Sequence, residues 1–381
     1  MRVTDKFMIL KKIAKIFNTT MFSINIVALF IFLLSSFSDR VSPDNMILFA
    51  YLGLLFPLIF FINILFAIWW TIIFQWKFLL VNIIVFTICA GQIFTYFPIH
   101  FRSKAVPEDC IKVLTYNVMR YNQYKKHTEE NPNNIINYIL ALDADIVCLQ
   151  EYGSTSNIPG LIMEEDIDRA FRKKYPYRKT LPILGYKNEI AGNAVYSKFP
   201  IKSFERIQYV SLFNGSFAIA LDVGGKDVAL INNHLESNKL SSGDAAEYAG
   251  LLKGIKGFDP KKIESVSAMM KKRLSISYKA RAKQAEIIAA YIKDLKNPYI
   301  IVCGDFNDTP ISYSRRIIKG NLFKDAFAET GFGMGMSYNR NRFWVRIDYI
   351  LHSKNIKAYN CTVDKIKDSD HYPVWAYLQL H

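Results

Sequence analysis

"SDHYPVWAYLQL", residues 369–380, sets an acid and a histidine side by side and follows them with a proline and an apolar run. Pro373 biases Tyr372 away from helix, and "VWAYLQL" reads as a strand. Asp370–His371 is then either a solvated turn before a last strand or part of a site at a strand end. Taken alone, the turn is the ordinary reading. The choice depends on whether other strands in the chain end the same way.

Several do. In "VLTYNV" Asn117 interrupts an apolar run, and in "IVCLQEY" Glu151 follows Gln150 at the end of one. Asn232 and His234 in "LINNHLES" lie two residues apart and so share a strand face, as do Asp305 and Asn307 in "IIVCGDFND". Asp348 sits between apolar neighbours in "RIDYIL". Each has an ordinary alternative: a satisfied amide, a solvated acid, a β-turn in "GDFND". Asp348 is the hardest to explain so, because a carboxylate inside an apolar strand is costly unless paired or metal-bound.

The runs between these residues define the organisation of residues 110–381. Strands are expected at "CIKVLTYNV", "ADIVCLQEY", "GNAVYSKFPI", "FAIALDV", "KDVALINNHLE", "PYIIVCGDFN", "VRIDYILHS" and "HYPVWAYLQL". Helices are expected at "NNIINYILALD" and "SYKARAKQAEIIAAYIKDL", where apolar residues recur at helical spacing. Many strands with few helices predict an α+β sandwich, two sheets face to face with helices outside. Residues 238–276 are long, polar and lysine-rich, and read as a helical excursion, with a lid or a membrane-facing insert as alternatives.

The polar set has a chemical logic. Hard divalent cations take oxygen ligands, commonly one or two carboxylates with water and phosphate completing the shell. Glu151 is the lead ligand, with Asn117 and Asp370 as companions. A phosphoester also needs an attacking water and a protonated leaving oxygen, hence histidines with carboxylates to fix their tautomers. His371 with Asp348 behind it forms such a dyad, His234 serves the other side of phosphorus, and Asp305 and Asn307 orient water and hold phosphoryl oxygens. No acid is identified as the partner of His234.

In order, "LTYNV", "DIVCLQE", "GNAVYSKFPI", "NNHLE", "VCGDFND", "RIDYIL" and "SDHYPV" resemble the endonuclease/exonuclease/phosphatase family of deoxyribonucleases, apurinic endonucleases, neutral sphingomyelinases and inositol polyphosphate phosphatases. The resemblance covers about residues 110–381. It implies a four-layer α/β/β/α sandwich and a Mg²⁺-dependent phosphoester hydrolase, with Mn²⁺ as the alternative ion. By position it implies Asn117, Glu151 and Asp370 at the metal. His234 becomes phosphate contact or general acid, Asp305 and Asn307 lie at the scissile phosphate, and Asp348 pairs with His371 as general base. Asn193 and Arg281 match family positions near the site. Substrate identity does not follow from fold: nucleic acid, phospholipid and a phosphorylated small molecule all remain open. A receptor that binds phosphate without catalysis is the reading from another class, and the complete catalytic set argues against it.

Residues 1–97 are different in kind. Three charge-free apolar runs, at 21–37, 46–70 and 78–97, each reach the length a bilayer needs, about 17–25 residues. They predict a membrane anchor of three transmembrane helices, with 98–109 as connector. The first has a basic front but no cleavage site of signal-peptide type. Arg2, Lys6, Lys11, Lys12 and Lys15 precede it, which predicts a cytoplasmic N-terminus. Three crossings then place residue 98 onward outside, on a multi-pass cell-membrane protein; a re-entrant pair would preserve that sidedness, and two crossings would reverse it. Net charge is +15, with 41 basic and 30 acidic residues after residue 97, which suits anionic substrates or lipid headgroups alike. Of five cysteines, Cys110 and Cys361 are the pair that could form a disulfide in an oxidising compartment.

Overall fold

From Ile111 onward the computed structural model builds two six-stranded mixed sheets; it describes residues 3–156, 158–186, 188–238, 260–340 and 345–381. The strands are β1 (Ile111–Asn117), β2 (Ile146–Thr155), β3 (Tyr177–Tyr186), β4 (Glu189–Ser197), β5 (Ile201–Ile207), β6 (Gly215–Val223), β7 (Lys226–His234), β8 (Tyr299–Asp305), β9 (Phe323–Asp325), β10 (Asp348–Ser353), β11 (Ile356–Val363) and β12 (Val374–Leu380). One sheet runs β11-β12-β1-β2-β4-β3 and the other β5-β6-β7-β8-β10-β9. Each has one parallel pair at its heart, β1 with β2 and β7 with β8, flanked by antiparallel neighbours. A parallel pair needs a crossover connection, and both crossovers contain helix.

The inner faces meet in a core of aliphatic and small side chains, among them Val113, Cys148, Val195, Leu230, Cys303 and Ile350. On the outside of the first sheet lie the helices Asn134–Leu142 and Glu164–Phe171, which bury Ile135, Ile139 and Phe171. The Asn133 side chain starts the first of these by accepting the Ile135 N–H at 3.0 Å. On the outside of the second sheet, helix Pro260–Asp294 buries Ala285, Ile288 and Ile292. The expected α+β sandwich of face-to-face sheets with helices outside is therefore present. The long helix starts at Pro260, so the part of the 238–276 stretch from there on is helix; residues 239–259 lie outside the described residues. Asp348 opens β10 and is not a mid-strand residue. All five cysteines are free, Cys110 and Cys361 included.

The N-terminal region departs from three straight spans. Helix α1 (Val3–Ser36) contains one stretch, Met8–Ser36, long and apolar enough to cross a membrane. The second apolar run is a bent pair, α2 (Ile47–Leu54) and α3 (Phe56–Ile72), meeting at 60°. Pro57, which has no N–H to give, stands in the first turn after the bend. The third is α4 (Trp76–Ile88) and α5 (Ala90–Tyr96), meeting at 69°. Buried Asn25 ties the helices together: its carbonyl accepts from Trp70 Nε1 at 2.8 Å and from Asn82 Nδ2 at 2.9 Å.

These helices touch the sandwich directly. Phe32, Phe56, Cys89 and Tyr96 form one cluster with Ile311, from the loop after β8. Tyr51 donates to Lys271 O at 2.8 Å, and buried Arg346 donates to Thr95 O. Gly53 lies so near this loop that a Cβ on it would stand 2.3 Å from Ile311 O.

Candidate active site

Both parallel pairs finish at the same end of the sandwich, so the polar residues that close their apolar runs converge. Register alone sets His234 opposite Asp305 on the parallel neighbour, and Asp348 opposite Asp305 on the antiparallel one. The residue before Asp305 is Gly304, with φ +130°; a Cβ there would fall 1.9 Å from Asn233 O. Only glycine lets β8 pass β7 closely enough to deliver Asp305 at this point. Gln150 and Asn232 pin the sheets to each other through a 2.7 Å bond.

Asp305 Oδ2 is the hub. Asn117 Nδ2 donates to it at 3.1 Å, His371 Nε2 stands 3.6 Å away and His234 Nε2 3.7 Å away. Asp305 Oδ1 accepts the Asn307 N–H at 2.8 Å, and Asn307 Nδ2 donates to Leu235 O at 2.9 Å. His371 Nδ1 bonds Asp348 Oδ2 at 2.8 Å, which leaves Nε2 for the site. Ser337 Oγ accepts the Asp348 N–H at 3.1 Å, and Ser369 Oγ accepts the His371 N–H at 3.2 Å while donating to Asn117 O at 2.7 Å. His234 Nε2 and Asp348 Oδ1 are buried without a hydrogen-bond partner among the described residues.

Charge follows from this crowding. Burial works against an imidazolium at His371, but Asp348 and Asp305 outweigh it and carry the group up to about 10. His234 goes the other way: burial dominates the pull of Asp305 and keeps the ring neutral. Burial, with Asp348 added, lifts Asp305 to about 6 against the pull of His371 and His234. Burial and then the neighbouring Asp370 carboxylate raise Glu151.

All eight sequence-selected residues lie at this end. Asn117 Nδ2 also donates to Glu151 Oε1 at 3.3 Å, and its Oδ1 accepts the Met119 N–H at 3.1 Å. Glu151 Oε1 is 4.0 Å from His234 Nε2. Asp370 meets Arg340 Nη1 at 3.4 Å. Asn193 and Arg281 are one layer out. Asn193 donates to Gly215 O at 2.7 Å, on the strand position paired with His234. Arg281 is buried and ties Glu236 O to Asp308.

Four further residues come with the structure. Arg120 lines a cavity of about 150 Å³ with Glu151, Asn214 and His234. It belongs to a left-handed turn, Met119–Tyr124, with φ between 44° and 63°. Each such non-glycine residue costs about 1–2 kcal/mol, so the turn must be held: Asn133 Nδ2 donates to Tyr121 O and Lys125 O, and Tyr121 is fully buried. Glu151 (φ 47°) and Asn307 (φ 52°) are left-handed too. Strain gathered at one end of a fold marks functional sites. Tyr338 packs edge-on to His371, ring centroids 5.1 Å apart, and Ser337 and Ser369 brace the dyad. Of these, only Ser369 lay within a quoted motif; no local pattern announces a left-handed turn.

Comparison with known proteins places the chain in a family. The Endonuclease/Exonuclease/phosphatase family matches residues 114–371, and the chain belongs to it. Its members are phosphoester hydrolases of nuclease and phosphatase type, generally dependent on divalent metal. A separate domain of unknown function matches residues 15–96. Similar solved structures include an endonuclease/exonuclease/phosphatase from Beutenbergia cavernae (17% identity, 72% of each chain covered, TM-score 0.47). A family protein from Leptotrichia buccalis is also similar (17%, 71% of this chain and 100% of that one, 0.46). So is the human Nocturnin catalytic domain with bound sulfate (16%, 74% and 98%, 0.46). No curated protein matches the chain in sequence.

Proposed function

We propose that the chain is a divalent-metal-dependent phosphoester hydrolase, of phosphodiesterase or nuclease type, anchored in a membrane by its N-terminal helices. The observation that carries this reading is the pair of histidines facing one Asp305 oxygen at 3.6 and 3.7 Å, one of them backed by Asp348 at 2.8 Å. His371, its Nδ1–H held by Asp348, accepts a proton at Nε2 from a water that Asp305 orients; this role needs the ring neutral, and a divalent ion in the site would add the positive charge that brings its raised pKa down. Neutral His234 gives a hydrogen bond to the phosphoryl or leaving oxygen, which accounts for its unpartnered Nε2. Asn307 keeps one amide N–H for a phosphoryl oxygen, and Arg120 lends positive charge from the wall of the cavity it shares with Glu151 and His234.

The donor set fits a hard cation. Glu151 and Asp370 are carboxylates close enough for one to raise the other's pKa, a repulsion that a divalent ion relieves. Asn117 would join through Oδ1 only by turning its amide and giving up the Met119 N–H. Asp305, Asp348 and His371 also bring ligand atoms within 4.8 Å of one another. The Asp348–His371 bond already occupies that cluster, so the Glu151–Asp370 side is the better seat. Mg²⁺ or Mn²⁺ bound there would stabilise charge developing on the phosphoryl oxygens.

Packing supports three traverses of the bilayer. Phe17 and Phe22 of α1 meet Trp69 and Trp70 at the far end of α3, while Phe32 meets Phe56 and Phe86 near the sandwich. From Phe17 to Ser36 the helix rises about 29 Å, the thickness of the hydrocarbon. With the basic leader inside, one crossing or three both place the sandwich outside.

Turnover by the full chain in detergent decides the chemistry. DNA, RNA, phospholipid and inositol phosphates are offered with Mg²⁺, Mn²⁺ or EDTA, wild type beside His371→Ala. Phosphate binding without metal-dependent turnover on any of them would leave the receptor reading standing. A reporter fused to the C-terminus gives the sidedness.

A further inference from the structure

A second cavity, of about 570 Å³, adjoins the site without containing its catalytic groups. Its wall includes Tyr338, which bridges to His371, and Tyr372, the next residue in the chain. Its remaining walls combine Phe332, Met334 and Met336 with the cations Arg102 and Lys365. Thioether and aromatic walls with basic groups among them suit a ligand that is apolar at one end and anionic at the other.

Its place in the molecule says where such a ligand comes from. Met334 packs against the cluster of Phe32, Phe56 and Tyr96, so the cavity wall is continuous with the membrane helices. The chain leaves α5 at Tyr96, and Ile99 is three residues on, at most about 11 Å away. There Ile99 pairs with Phe332, the His100 N–H bonds Gly331 O at 3.1 Å, and the Gly333 N–H bonds Pro98 O at 2.9 Å. The zipped segment displays Ile99, Phe101 and Phe332 at 61%, 83% and 62% exposure, with the two rings 5.7 Å apart. Three large apolar side chains held open beside the end of a membrane helix belong at the interfacial layer of a leaflet. Arg102 and Lys365, just beyond them, complement anionic headgroups.

We propose that this cavity receives the acyl-glycerol end of an anionic membrane phospholipid drawn from the adjoining leaflet, with the lipid's phosphoester presented to His371 past Tyr338. The proposal rests on the hydrolase reading above and gives it a substrate class. The reaction consumes one water: its hydroxyl joins phosphorus, one P–O ester bond breaks, and the departing oxygen gains a proton.

The test uses the full chain in phosphatidylcholine vesicles doped with phosphatidylglycerol. Two readouts run together: release of water-soluble product from phosphatidylglycerol, and turnover of bis(p-nitrophenyl) phosphate, which has no acyl chain. Met336→Trp fills the cavity, Arg102→Glu reverses a rim charge, and Phe332→Asp alters a side chain already exposed, so at least one variant keeps its fold. Each should lower lipid turnover on the order of tenfold or more, the effect of losing one apolar anchor or charge contact. Turnover of the small diester should stay within about twofold. Equal loss on both substrates, or no loss on lipid, overturns the assignment. So does a wild type that cleaves the small diester and nucleic acid but not phosphatidylglycerol, which leaves the hydrolase reading intact. A wild type inert on everything sinks both.

Discussion

Replacing Asp348 by asparagine tests the reading of the site most directly. The carboxylate is buried, and its Oδ2 bonds His371 Nδ1 at 2.8 Å. Asparagine keeps the shape and removes the charge. With charge centres roughly 4 Å apart, a carboxylate and an imidazolium attract by about 4 kcal/mol at an effective dielectric near 20. At about 1.36 kcal/mol per decade, that amounts to roughly three decades in rate if the charge is needed only when the ring takes the proton. A positioned base contributes about 10²–10⁴-fold in general, the same range. Asp348→Asn should therefore lower kcat for bis(p-nitrophenyl) phosphate by about 10³-fold, with KM little changed, since the carboxylate does not face the substrate. Circular dichroism and the unfolding midpoint accompany the assay. A folded Asp348→Asn protein that keeps a third or more of wild-type kcat would refute the assignment of His371 as base.

Three further outcomes follow from other parts of the molecule. Glu151→Gln should raise the Mg²⁺ concentration for half-maximal rate by about 10–100-fold, read by metal titration, whereas an unchanged titration would move the ion elsewhere. Asp325 pairs with buried Arg315 at 2.5 Å and caps the helix Ala326–Thr330; although burial opposes its charge, Arg315 and the backbone hold its pKa below the usual carboxylate range. A depressed folded-state pKa stabilises above the unfolded value, near 3.9, and that contribution fades as pH falls through the folded one. Asp325→Asn should cost about 3–5 kcal/mol at pH 7, and the gap from wild type should narrow in acid; a gap constant from pH 7 to 3 contradicts the pair's role. Gly53→Ala would place a methyl 2.3 Å from Ile311 O and 2.7 Å from Ser38 Oγ. Overpacking costs about 1–3 kcal/mol, and because Ile311 follows the Asp305–Asn307 segment, activity in vesicles should fall while membrane insertion does not.

The strands that matter for chemistry were legible because each carries an apolar run stopped by a polar residue. Asn117, Glu151, His234 and Asp305 announce themselves in this way, and all four stand at one end of the sandwich. Other features gave less. Strands Tyr177–Tyr186 and Ile356–Val363 lie at or next to sheet edges, where half-exposed sequences such as "NIKAYNCTV" lose the alternation that marks a strand. Asp348 read as mid-strand because Val345 and Ile347 prolong the apolar run upstream, although pairing begins at Asp348 itself. Hydropathy measures length and not direction, so three uniform apolar runs concealed two bends; Pro57 hints at one, and no proline stands near Cys89 at the other. His234 finds no dedicated acid, because the groups that act on it, Asp305 and Asp348 first among the carboxylates, belong to the shared centre.

The contact of Gly53 with Ile311 has a kinetic consequence. A catalytic unit on a loose tether samples every orientation and meets molecules arriving through the bulk. Here the loop that follows Asp305 rests on α2, and buried Arg346, two residues before Asp348, bonds the last turn of α5. With the N-terminal helices in a bilayer, as proposed, these contacts would give the site a set height and tilt above it. Encounters with a lipid substrate would then be two-dimensional, so the rate should follow the mole fraction of substrate in the surface, and diluting that surface with inert lipid should slow it even when the amount of substrate in the tube is unchanged.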